Sequence, residues 1–153
     1  SDLISVNTTS VLRIIKHFYG SIHSRKPFYT AVMVSIAGFM SSPFFSVYGA
    51  SKAALKIFIE SVNVELKKSG TDNRILNVSP GRINGTNFYN GANNLSLLYP
   101  LADEIIYHMN NRNDLFIPEY EEVFKKVLER YHRDFRAEGE HSYEYKQEQL
   151  KRK

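Results

Sequence analysis

Two short apolar runs, Thr30-Ala31-Val32-Met33-Val34-Ser35-Ile36 and Arg74-Ile75-Leu76-Asn77-Val78-Ser79, flank a long stretch of helical periodicity. That order constrains the fold more than any other feature. Near-continuous apolar runs of this length mark strands buried on both faces of a parallel sheet. Parallel neighbours cannot be joined by a tight turn. They need a crossover of roughly a dozen residues or more, usually a right-handed helix. The stretch from Val47 to Lys68 provides it, with Ala54, Phe58, Val62 and Leu66 as core-facing positions and Ser69-Gly70 as its stop.

The flanking sequence extends the alternation. Val11, Leu12, Ile15, Phe18, Tyr19 and Ile22 predict a helix over residues 8–22, with Thr8 or Thr9 as its cap. Pro80-Gly81 stops the second strand. Residues 82–100, rich in Asn and Gly with interspersed aromatics, read as a loop or lid. A short helix over 101–109 and a brief strand, Leu115-Phe116-Ile117, follow. Tyr120, Val123, Phe124, Val127, Leu128 and Tyr131 predict a helix over 119–133 with one packing face. Pro118 sits at its first turn, acidic residues near its start and Arg130, His132 and Arg133 near its end. Residues 137–153 are polar and read as frayed.

Composition narrows the function classes. An apolar content of 42% over 153 residues suits one globular unit. With no cysteine there is neither a disulfide framework nor a thiolate metal site, which suits a reducing, cytoplasmic setting. The five histidines show no metal-ligand spacing. No apolar run approaches the roughly 20 residues of a membrane span. The net charge of +4 owes part of its excess to Lys146, Lys151, Arg152 and Lys153 and forms no basic stripe, so nucleic acid is not an expected partner. The opening Ser1-Asp2-Leu3-Ile4 is not a signal peptide and, lacking methionine, reads as a start within a longer protein.

The chemistry concentrates where the first strand meets the crossover helix. Tyr48 and Lys52 are four residues apart and share a helix face, and Ser35 stands thirteen residues ahead of the tyrosine at a strand end. A phenol titrates near ~10 when unperturbed. A cation about 4 Å away, at an effective dielectric of about 20, favours a phenolate by roughly 4 kcal/mol. A phenol beside an ammonium, with a hydroxyl nearby, suits moving a proton on and off a carbonyl oxygen.

Ser35, Tyr48, Lys52 and the sequence Asn77-Val78-Ser79-Pro80-Gly81 together resemble the short-chain dehydrogenase/reductase family. The resemblance implies an α/β fold, the C-terminal half of a doubly wound, Rossmann-like parallel sheet. About three strands with flanking helices are expected, plus a C-terminal helical extension. Residues 1–118 would be the catalytic half and 119–153 an amphipathic helix with a polar tail. It implies an oxidoreductase using NAD or NADP on a small carbonyl compound or secondary alcohol. Tyr48 would be the acid/base, Ser35 would hold the substrate oxygen, Lys52 would bind the nicotinamide ribose, and Asn7 would join a proton relay. Pro80, Gly81 and Ile83 would meet the nicotinamide. Thr86 matches the family's threonine less well, because Arg82-Ile83-Asn84-Gly85-Thr86 is one residue longer than the commonest spacing. The helices at 8–22 and 47–68 match the family's dimer-forming pair.

The glycine-rich T-G-x-x-x-G-x-G loop that would cradle the cofactor phosphates occurs nowhere in the chain. That departure keeps a second reading open, a truncated, non-enzymatic remnant or interaction module. In the lid, Phe88, Tyr89, Leu95, Leu97, Leu98 and Tyr99 offer apolar pocket walls, and Asn87, Asn90, Asn93 and Asn94 offer polar contacts.

Overall fold

A computed structural model describes residues 2–88 and 92–152; the lid residues Tyr89 and Asn90 lie outside them. The order is α1 (Asp2–Ile4), a π-helical turn (Ser5–Thr9), α2 (Ser10–His23), β1 (Thr30–Met33), a 3-10 turn (Ile36–Gly38), α3 (Ser46–Ser69) and β2 (Ile75–Val78). There follow a second 3-10 turn (Leu95–Leu97), α4 (Tyr99–Asn110), β3 (Leu115–Phe116), a second π turn (Tyr120–Phe124), α5 (Lys125–Arg133) and α6 (Phe135–Lys151). The described strands form one parallel sheet in the order β1-β2-β3, with Val32 opposite Asn77 and Val78 opposite Phe116.

Helices cover the sheet unequally. On one face, Val32, Val34 and Ile75 pack with Ile15 and Ile22 of α2 and with Leu55, Ile59, Val62 and Leu66 of α3. On the other, Leu76, Val78 and Phe116 meet Leu101, Ile105 and Met109 of α4. β2 is therefore buried throughout, whereas β1, at the sheet edge, leaves Ala31 and Met33 exposed, Met33 by 44%. The expectation that both strands are buried on both faces holds for β2 alone. Position in the sheet, not local composition, decides this.

Three further expectations are corrected. The helix read over 8–22 begins at Asp2 and passes through the π turn, so Thr8 and Thr9 are interior. Thr8 is buried and donates its hydroxyl to Ser51 O at 3.0 Å instead of capping a terminus. The buried stripe of α3 runs Leu55, Ile59, Val62, Leu66, leaving Ala54 exposed and Phe58 half-buried. The tail read as frayed is helix α6, capped by the Asp134 carboxylate, which accepts from Arg136 N and Ala137 N at 3.1 Å. Gly70 ends α3 as read, in the left-handed region at φ 84°.

Two buried asparagines tie the ends of the crossover. Asn63 pairs with Ile75 in both directions, donating to its O and accepting from its N at 2.8 Å. Asn73 donates to Ile22 O, Ser24 O and Lys26 O and accepts from Phe28 N and Arg112 Nη1.

Candidate active site

The site lies at the carboxyl ends of β1 and β2, where an open α/β sheet places its ligands. Past Met33 the β1 ladder continues, with Val34 N donating to Val78 O at 2.7 Å and Ile36 N to Pro80 O at 3.0 Å. These bonds set the Ser35 turn beside the Pro80-Gly81 turn. Ser35 is buried and extended, and its Oγ accepts from Ala37 N at 3.1 Å, leaving its own proton to donate elsewhere.

The 3-10 turn lies hard against α3. A Cβ at Gly38 would meet Lys52 C at 2.8 Å and Ala53 N at 2.9 Å, so only glycine allows that approach. Tyr48 and Lys52 project from the same face of α3, with Nζ 5.7 Å from the Tyr48 ring centroid. Lys52 Nζ donates to Met33 O at 2.9 Å, and burial lowers its pKa from the ordinary 10.5. The ring of Phe88, from the lid, lies 6.0 Å from that of Tyr48.

Asn7 reaches the site through a residue that the motif reading passed over. Its Nδ2 donates to Ser51 Oγ at 3.3 Å, and Ser51 Oγ donates to Tyr48 O at 2.7 Å. Asn7 thus grips the backbone of α3 at the tyrosine, and it comes from the π turn, a distortion frequent at functional sites. The one signal for Ser51 in the sequence is its spacing: it stands four residues ahead of Leu55, at the start of the stripe Leu55, Ile59, Val62, Leu66, and a serine buried there bonds a local carbonyl.

Around the second turn, Gly81 lies under the Phe124 ring, where a Cβ would come within 2.4 Å of Cζ. Thr86 Oγ1 donates to Ile83 O at 2.9 Å, and Asn94 N donates to Gly85 O at 2.9 Å, folding the lid segment back on itself. Arg82, Ile83, Asn84, Gly85, Thr86, Ala92 and Leu97 line a small cavity there of about 290 Å³. Ser35, Tyr48, Lys52 and Asn7 are thus linked through the 3-10 turn and α3, and Pro80 and Gly81 through the sheet. Ile83 and Thr86 form a separate group in the lid.

The family model described as short chain dehydrogenase matches residues 1–94, well over half of the sequence. The chain belongs to the short chain dehydrogenase family. Among curated proteins, that of Saccharomyces cerevisiae called "Uncharacterized oxidoreductase TDA5" is 36% identical over 83 residues, covering 54% of this chain and 26% of the relative. A "Very-long-chain 3-oxoacyl-CoA reductase" of Mycosarcoma maydis is 33% identical over 76 residues, covering 50% of this chain and 22% of the relative. The chain spans about a quarter of the length of these two relatives.

Solved structures agree on the fold. The apo form of LigD from Sphingobium sp. strain SYK-6 superposes with a TM-score of 0.66 at 24% identity, over 85% of this chain and 50% of that one. A short-chain dehydrogenase from Sphingobium yanoikuyae, solved in complex with NADPH, gives a TM-score of 0.54 at 20% identity, over 86% of this chain and 55% of that one. The three-stranded sheet is thus part of a Rossmann-like short chain dehydrogenase fold. None of the helices described here is long and apolar enough to cross a membrane.

Proposed function

We propose that this chain carries the catalytic half of an NAD(P)-dependent oxidoreductase that interconverts a carbonyl compound and a secondary alcohol. The observation that supports this most is the pairing of Tyr48 with a partly desolvated Lys52 on α3, against the 3-10 turn that the buried Ser35 opens. Bound nicotinamide would supply the hydride chemistry. Ser35 holds the substrate oxygen, and Tyr48 gives that oxygen its proton in reduction and takes it back in oxidation. Lys52 spends one of its three N–H donors on Met33 O, leaving two for the cofactor ribose and the phenol oxygen. Asn7, through Ser51, holds the first turns of α3 in place and orders the relay.

The residues present suit the nicotinamide-ribose end of such a cofactor. Lys52 is a desolvated cation with donors to spare, and Pro80 and Gly81 end β2 beside the Ser35 turn. Ile83 would offer backbone polar groups to the carboxamide, and Thr86 a hydroxyl. A glycine-rich phosphate cradle is not among these residues, so pyrophosphate anchoring falls outside this chain's contribution. A second copy of the chain is the proposed partner of the outer faces of α2 and α3, where Ile14, Phe18, Ile57 and Val64 are exposed.

The test is Tyr48→Phe, which keeps the ring and removes the transferable proton. Oxidation of NADH or NADPH against a panel of aldehydes and ketones is expected to fall by at least about a hundredfold. A Tyr48→Phe protein that kept more than about a tenth of the rate would overturn the acid/base role, because general acid–base loss is far larger.

A further inference from the structure

Seven residues, 39–45, join the 3-10 turn to α3, and their geometry decides where Tyr48 stands. Tyr48 is the third residue of α3, whose N-cap position is taken by Phe45, a residue with no side-chain oxygen to accept from the first turn. Phe44 is a non-glycine residue at φ 68°, a conformation that persists only where its surroundings impose it. Phe44 is half exposed, and the helix that packs on it and on its neighbours is α6. Tyr143 stacks on Phe44 with ring centroids 4.8 Å apart. Lys146 Nζ donates to Ser42 Oγ and to Pro43 O, each at 3.2 Å, and lies 5.5 Å from the Phe45 ring centroid. Gly139 passes so close to Ser41 that a Cβ there would meet Oγ at 3.0 Å. Gly139, Tyr143 and Lys146 are spaced by four and three residues, one stripe of one helix.

We propose that this stripe, and Lys146 above all, is a positioning element for Tyr48, holding the strained loop that sets the start of α3. The proposal rests on the acid/base reading of Tyr48 for its catalytic consequence, but not for the clamp itself. Lys146 is suited to the task. It replaces the hydration of a partly buried ammonium with a carbonyl, a hydroxyl and an aromatic face, all supplied by residues 42–45. Its pKa is lowered by that burial.

Hydrogen–deuterium exchange read by mass spectrometry on the whole chain separates the clamp from the chemistry. In Lys146→Met, exchange across 41–49 is expected to quicken about tenfold, including Phe45 N and Gly49 N, which donate to Ser42 O and Phe45 O. Segment 55–66 stays protected, and so does α6, which keeps its Asp134 cap and the Arg130–Glu138 pair. Lys146→Arg restores slow exchange, and Gln147→Ala leaves it unchanged. In turnover, Lys146→Met lowers kcat several-fold with KM little changed, and the arginine variant recovers it. Unchanged exchange over 41–49, or loss of protection in α6 first, overturns the clamp. Faster exchange with full turnover overturns the positioning role, while Tyr48→Phe alone decides the acid/base reading. Should Lys146→Met not fold, Tyr143→Leu, which removes the stack on Phe44, is held to the same outcomes.

Discussion

The β1–α3–β2 crossover keeps Leu55, Ile59, Leu66, Ile75, Leu76 and Val78 at 0–1% exposure, whereas from Tyr120 to Lys151 only Leu128 and Glu138 are buried. The crossover is held by apolar burial, which is non-directional and tolerant of detail. The C-terminal pair α5–α6 is held by individual directed contacts: Arg130 on Glu138, Lys146 on Ser42 Oγ and Pro43 O, and Tyr143 on Phe44. The difference teaches where single substitutions act. In the crossover they should unfold the sheet, and at the C-terminus they should release one helix.

Beyond the loss of turnover in Tyr48→Phe, the largest effect falls on the crossover. Leu55→Ala empties a fully buried site shared with Ile59 and Ile75 and is expected to cost about 2–5 kcal/mol, melting the chain as a whole. Denaturant titration followed by circular dichroism checks it. A loss under about 1 kcal/mol would mean that the core repacks freely and that the contrast between the two regions is overstated.

Arg130→Ala attacks the other region. The Glu138 carboxylate, 8% exposed, loses both guanidinium bonds, at 2.8 and 3.1 Å. Local stability of α6 is expected to drop by roughly 1–2 kcal/mol, moderated because Arg130 is itself half exposed. The measurement is amide exchange, which should quicken over 135–151 and stay unchanged over 55–66. Pairing the change with Glu138→Gln should recover part of the loss. Equal loosening in both regions would show that α6 is integral to the core.

What the sequence made legible divides along the same line. The two apolar runs, the Gly70 stop and the Tyr48–Lys52 spacing are local patterns, and each marks an element or a face by itself. Ser35 and Asn7 were singled out through the family resemblance, not through any local rule, and the structure ties Asn7 to α3 through Ser51. The contacts of Asn73 and Asn63 join residues far apart in sequence, and nothing near either asparagine announces its partners. The exposed face of β1 follows from its edge position, which no composition encodes. α6 was misread because Gly139, Tyr143 and Lys146 form a stripe of one small, one aromatic and one basic residue, which an apolar template does not detect.

A smaller effect is expected on the outer face of α3, where burial depends on a partner. Ile57 is 57% exposed, so Ile57→Asp should change the melting temperature little. If the α2–α3 face joins two copies, the same change shifts light scattering from dimer to monomer at micromolar concentration. A variant that scatters as the wild type does at every concentration would remove this face from the proposed interface.

The smallest effect is expected at Lys52, and its sign is informative. Burial lowers the Lys52 pKa from 10.5, so folding favours the neutral amine. Below the lowered value both the folded and the unfolded chain carry the charge, and the folded chain bears the full cost of desolvating it. As pH rises through that value towards 10.5, the folded chain loses its proton first and the cost is relieved. Lys52→Met should therefore melt slightly higher than the wild type at neutral pH, by about 1–2 °C, since the lost bond to Met33 O offsets part of the gain. The advantage should shrink as pH climbs towards 10.5. Melting curves at neutral pH and at several alkaline values test both parts. A variant that melts lower at neutral pH would mean that the Met33 contact outweighs desolvation. Lys52 would then belong with the directed contacts that hold the C-terminal helices, and not with the residues kept at a cost in stability for what they do in the site.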